Sequence, residues 1–234
     1  MRIFKTTEYI SEKLNIRPVT KDRLDRMNDE PVLDEKTRLF IKKHNLVYNK
    51  ASRMYDADDD VILTNHDSTY LVDGDFPIKF GKMNESFTCF NVKGLTSLKN
   101  SPYFIKGDMN ICQCEDLVSL EGVTQDVGNS FYCDKCKSLE SLVGAPKKVN
   151  GHFNCCSCNI TTLVGAPEYV GGNFLCSDCN YLESLEGAPE YVGKNFDITY
   201  CYNLKNFEHL PKKIGGNIFD GNKIVSIRNG KRIN

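Results

Sequence analysis

The chain is expected to be α+β: a solenoid of stacked parallel strands fills roughly its last two thirds, behind a small helical amino-terminal cap. Three observations predict this. An apolar lead residue recurs at Phe87, Met109, Phe131, Phe153, Phe174, Phe196 and Ile218, at spacings of 22, 22, 22, 21, 22 and 22 residues. Each unit then carries an apolar-x-apolar core and paired leucines, as at Leu95 and Leu98, Leu139 and Leu142, and Leu182 and Leu185. Turn residues punctuate the units: Gly144, Gly165 and Gly187 open Gly-Ala-Pro breaks, and Gly128, Gly151, Gly172, Gly193 and Gly216 precede the next strand. A unit of this length cannot bury its own apolar stripe, so stacking against its neighbours is what stabilises it.

In chain order, residues 1–50 read as a helical cap or docking module, 51–82 as a degenerate first strand and lead-in, 83–227 as seven solenoid units, and 228–234 as a basic tail. Thr7 caps a short helix with Ile10 and Leu14 on its inner face, and Pro18 ends it. Thr20 opens a second piece through Leu24 and Met27. Asp34 caps a third, Glu35 to His44, with Leu39 and Ile41 as its apolar anchors. Asp56, Asp58 and Asp60 alternate like the start of a calcium loop. However, Val61 stands where that loop needs Gly and Asp67 where it needs Glu, so the segment reads as a solvated turn into a degenerate strand, Val61 to Leu63. Phe76 to Phe80 is an irregular lead-in to the first full unit.

The paired leucines, the Gly-Ala-Pro turns and the lead-ins at Val127, Val149, Val170 and Val192 together resemble the short leucine-rich repeats of tailed bacteriophage and bacterial proteins, in which the column held here by the second Cys is often Asn. The resemblance covers the repeat region. It implies a leucine-rich-repeat-like solenoid and a protein working in the bacterial cytoplasm, for example by binding a host or phage protein in host takeover or anti-defence. One solenoid fold serves many binding tasks, so it specifies no partner.

Cys133, Cys136, Cys155 and Cys158 have the spacing of a four-thiolate zinc site. Along the array the signal weakens. The first column runs Cys89, Ile111, Cys133, Cys155, Cys176, Ile198 and the second Val92, Cys114, Cys136, Cys158, Cys179, Cys201; a slot that accepts Ile or Val is apolar, and free Cys fills it as a small hydrophobe. Neighbouring rungs about 4.8 Å apart lie within disulfide range. Eleven cysteines, an odd number, behind an amino terminus that runs Met1, Arg2 to charged Glu8 without an apolar signal core point to reduced thiols and a cytoplasmic location. Cys112 and Cys156 fall one residue after the first column, where alternation turns them outward as candidate exposed thiols.

Thirty basic against 31 acidic side chains lack the footprint of a dedicated nucleic-acid binder, and no run reaches membrane-spanning length. The local basic group Lys223, Arg228, Lys231 and Arg232 reads as a polar cap on the last repeat. No nucleophile elbow, phosphate loop or metalloprotease motif is present; the histidines His44, His66, His152 and His209 are scattered, and His152 is assigned to the outer strand face. No enzyme activity and no cofactor are expected. A protein partner is, at the outward positions of the strands that follow each lead: Phe90, Asn110, Tyr132, Asp134, Asn154, Leu175, Asp197, Tyr200 and Phe219, where aromatics stand among small polar residues. On the opposite edge Tyr169 and Tyr191 should stack one rung apart. The chain is expected to be monomeric, without nucleic-acid or membrane partners. The alternative reading is a structural protein whose cysteine ladder binds zinc or responds to oxidants.

Overall fold

The computed structural model describes residues 31–221, 223–228 and 231–233; the helices expected around Thr7 and Thr20 lie outside them. The one α-helix described is α1, Glu35–Lys43, capped by Asp34, whose carboxylate accepts the Thr37 N–H at 2.8 Å. Its inner face corrects the sequence reading: Phe40 is buried, while Leu39 is 54 % exposed. Phe40 wins the inward position because its ring packs on His44, Tyr70 and Phe80.

The chain then winds through eight coils, each giving one strand to each of two parallel sheets. The first sheet stacks β2 (Met54–Ala57), β4 (Phe80–Met83), β6 (Phe104–Ile105), β8 (Asp126–Val127), β10 (Lys148–Val149), β12 (Tyr169–Val170), β14 (Tyr191–Val192) and β16 (Lys213–Ile214). Strand β1 (Val47–Asn49) closes its edge, antiparallel to β2. The second sheet stacks β3 (Val61–Thr64), β5 (Phe87–Phe90), β7 (Met109–Cys112), β9 (Phe131–Tyr132), β11 (Phe153–Asn154), β13 (Phe174–Leu175), β15 (Phe196–Asp197) and β17 (Ile218–Asp220). Residues 51–82 thus hold a whole coil, hidden in sequence because Val61 pairs with Phe87 across 26 residues rather than 22. The basic carboxy-terminal segment folds as β18 (Lys223–Arg228), antiparallel to β17, and β19 (Lys231–Ile233), antiparallel to β18.

Among the described residues the class is mostly β: the Leu-x-x-Leu flank is turn and extended chain, and the helical content is α1 and a short 3-10 turn, Asn65–Tyr70. The two sheets enclose a core built in columns. The leads Phe87 through Phe196 are fully buried, as are Ile105, Val127, Val149, Val170 and Val192 of the first sheet and the leucine pairs from Leu95 to Leu185. Phe131, Phe153, Phe174 and Phe196 form one stack, with ring centroids 5.6, 5.1 and 5.2 Å apart and planes within 10°, 18° and 21°. In-register pairing of near-identical coils leaves these side chains no other arrangement.

Candidate interaction surface and internal ladders

Two hydrogen-bonded ladders fix the backbone that carries the candidate surface. The first occupies the corner just before the second sheet. Asp60, Ser86, Asp108, Ser130, His152, Asn173 and Asn195 each accept, through a side-chain oxygen or nitrogen, the backbone N–H of the equivalent residue one coil on, at 2.9–3.1 Å; the last N–H belongs to Asn217. This corrects the reading of His152 as an outer-face residue. Its Nδ1 accepts the Asn173 N–H at 3.0 Å, which assigns the neutral ring with its proton on Nε2.

The alternating aspartates serve the same purpose. Asp56 accepts from the Lys82 N–H at 2.8 Å, Asp58 from the Asn84 amide at 2.6 Å, and Asp60 from the Ser86 N–H at 2.9 Å. All three partners lie 26 residues ahead, so the carboxylates tie the first coil to the second.

The second ladder is made of sulfur. Cys114, Cys136, Cys158, Cys179 and Cys201 donate their thiols to the carbonyls of Cys89, Ile111, Cys133, Cys155 and Cys176 at 3.6, 3.1, 3.1, 3.3 and 3.1 Å. The second column is therefore more than an apolar slot: it supplies a donor to a carbonyl one coil back, where a bare hydrocarbon would leave that acceptor unpaired. Burial pushes the thiols of Cys89, Cys136, Cys155 and Cys176 up, and that of Cys114 up to about 11. Among the described residues no three His, Cys, Asp or Glu side chains are arranged to hold a metal ion. Cys133, Cys136, Cys155 and Cys158 lie in their columns, with Cys136 and Cys158 aimed at carbonyls.

After each second-sheet strand the backbone turns through the left-handed region at Asn91, Gln113, Lys135, Ser157, Asp178 and Tyr200, with φ between 54° and 62°. On the opposite flank Gly144, Gly165 and Gly187 take φ of 94°, 91° and 84°, where a Cβ would come within 2.6 Å of the preceding coil's backbone. Only glycine satisfies both conditions.

The proposed partner-binding residues divide into two groups on this frame. Asn110, Tyr132, Asn154, Leu175, Asp197 and Phe219 share one outward column of the second sheet, and all are half-buried, as is Asp134 in the turn after β9. Several are occupied internally. Asn154 Oδ1 accepts the Cys156 N–H, Asp197 Oδ1 the Thr199 N–H, and Asp134 Oδ1 accepts from both Cys112, at 2.7 Å, and Asn154, at 3.3 Å. The expected exposed thiols are covered: Cys112 is buried, and half-buried Cys156 contacts the Ser177 hydroxyl at 3.1 Å. Burial raises both, Cys156 to about 12. Asn110 Oδ1 is buried with no hydrogen-bond partner.

Phe90 and Tyr200 are the exposed members, at 45 % and 47 %. Tyr200 has company that strand alternation did not reveal: Tyr202, 77 % exposed, lies 6.0 Å away between ring centroids, and Tyr181 on the preceding coil is 57 % exposed. These three belong to the corner after the strand, where alternation assigns no face. On the first sheet, Tyr169 and Tyr191 stack as expected, 4.9 Å apart with planes within 4°. No described helix is long and apolar enough to cross a membrane. Comparison of the chain with protein-family models, curated proteins and solved structures finds no match.

Proposed function

We propose that this chain is a non-catalytic protein-binding module that reads its partner with the exposed aromatic corner of the second sheet. The observation that carries the reading is the Tyr200 and Tyr202 pair, 47 % and 77 % exposed on a backbone pinned by inter-coil bonds at Asp178 and Ile198. Tyrosine gives large contact area with few rotatable bonds, and a fixed backbone removes ordering entropy that binding would otherwise oppose. The repeat supports the same reading. Inward columns stay apolar while the outward column runs Thr88, Asn110, Tyr132, Asn154, Leu175, Asp197 and Phe219, so chemical variety collects where the scaffold does not need uniformity.

The resemblance to leucine-rich repeats of the short phage and bacterial type extends the proposal to a host or phage protein in the bacterial cytoplasm. Affinity capture from bacterial lysate tests the site. Wild-type chain should retain a discrete partner, and the double variant Tyr200→Ala, Tyr202→Ala should lose it with unchanged thermal stability, by at least about tenfold for two interfacial tyrosines. Capture indifferent to both changes and to Tyr132→Ala, Phe219→Ala would reject the second sheet as the binding face.

A further inference from the structure

The two cysteine columns are in contact along diagonals. A second-column sulfur sits against the first-column residue of the preceding coil, which juxtaposes Cys89 with Cys114, Cys133 with Cys158, Cys155 with Cys179, and Cys176 with Cys201. The pairs differ in access. Cys201 is 9 % exposed, whereas its seven counterparts are at most 1 % exposed. The flank below Cys201 is looser as well, because Leu204 and Phe207 are half-buried where Leu182 and Leu185 of the preceding coil are fully buried. Local opening is cheapest where buried apolar contact is thinnest, so this end admits reagent first.

We propose that Cys176 and Cys201 form a disulfide-forming site, oxidised by a low-molecular-weight disulfide such as oxidised glutathione. Cys201 deprotonates and its thiolate attacks one sulfur of the reagent; a mixed disulfide forms and the first reagent thiolate leaves. Cys176 then loses its proton and attacks the Cys201 sulfur, which forms the Cys176–Cys201 bond and expels the reagent's other half as a thiolate. The two protons end on the two reagent thiols, the protein loses two electrons, and the reagent gains them. Cys201 is suited to attack first, since it is 9 % exposed while Cys176 is fully buried, and only an accessible thiol meets the reagent. The bond would staple the coil that bears Tyr200 and Tyr202 to the coil before it, linking oxidation to the rigidity of the aromatic corner.

Reduced protein equilibrated with oxidised glutathione, quenched with an alkylating reagent and mapped by peptide mass spectrometry tests this directly. The expected result is a single bridge between Cys176 and Cys201, two of the eleven thiols lost, and a Tm raised by about 5 °C or more. Cys201→Ser, which keeps a donor to the Cys176 carbonyl, should remain fully reduced. Cys176→Val should stop at the mixed disulfide on Cys201. Eleven free thiols after treatment of folded wild-type chain, a bridge between other cysteines, or a bridge that persists in Cys201→Ser would each overturn the assignment.

Discussion

The first two coils and the central coils solve the same packing problem differently. From Phe131 to Phe196 the rings lie nearly parallel, one per rung. At the amino-terminal end Phe40, Phe76, Phe80 and Phe87 meet edge to face, with planes 66–87° apart. The sulfur column gives way there to Val92. A charged pair also enters: Asp67, 3 % exposed, receives hydrogen bonds from Lys43, from His44 at 3.0 Å and from the Thr64 N–H at 2.9 Å. Repetition suffices in the middle because every coil is covered by a copy of itself. Among the described residues the first coil has no such copy before it, so α1 and its C-cap supply Phe40, Lys43 and His44 from a different backbone geometry, and the core turns its rings to receive them.

Truncation of one ring in each region gives the largest expected effect and the sharpest contrast. Phe153→Ala should cost about 3–5 kcal/mol, the range for removing a buried aromatic ring. Because coils contact only their neighbours, it should also uncouple the two halves of the array and split a single urea transition into two. Phe80→Ala should cost a similar amount yet leave hydrogen-exchange protection in β11 to β15 intact, with loss confined to α1 and β1 to β5. Equal loss of protection along the whole chain in both variants would show that the array unfolds as one unit.

The corner ladder gives an effect of intermediate size. His152→Leu removes the acceptor for the Asn173 N–H and should cost about 1–3 kcal/mol, the range for a donor left unpaired. His152→Asn restores the side chain used at Asn173 and Asn195 and should stay within about 1 kcal/mol of wild type. Thermal denaturation of the two variants separates this from a surface role, for which both changes would be near neutral.

The difference between the regions also explains what the sequence made legible. Every lead from Phe87 to Ile218 is buried as expected, because a strict period and one apolar class leave a strong pattern. The corner ladder leaves no such pattern, because Asp, Ser, His and Asn share only a short-range acceptor, a property invisible to hydrophobic periodicity. The first coil reads as a fragment because its 26-residue step breaks the period. Helix phase alone favoured Leu39 and Ile41 over Phe40, since the deciding contacts, Tyr70 and Phe80, lie far along the chain. Tyr181 and Tyr202 are not legible in the pattern because they sit at corners, where alternation assigns no face.

Acid gives the smallest effect and the one most specific to the amino-terminal coil. Burial lowers the His44 imidazole below 6.5, outweighing the attraction of Asp67. Burial pushes the Asp67 carboxyl up, but hydrogen bonds from Lys43, Thr64 and His44 overcome it and hold the group below 3.8. Each group is thus less protonated in the folded chain than in the unfolded one, so proton uptake favours unfolding in both cases. The His44 contribution is complete above about pH 6.5 and disappears as pH falls to the folded-state value; the Asp67 contribution is complete above 3.8 and disappears as pH falls through its own. Protection factors of α1 amides should therefore decline in a first step below pH 6.5 and a second below 3.8. His44→Gln should remove the first step and keep the second. A first step that survives in His44→Gln would mean that another group, outside the contact between α1 and Asp67, governs the acid response of this end.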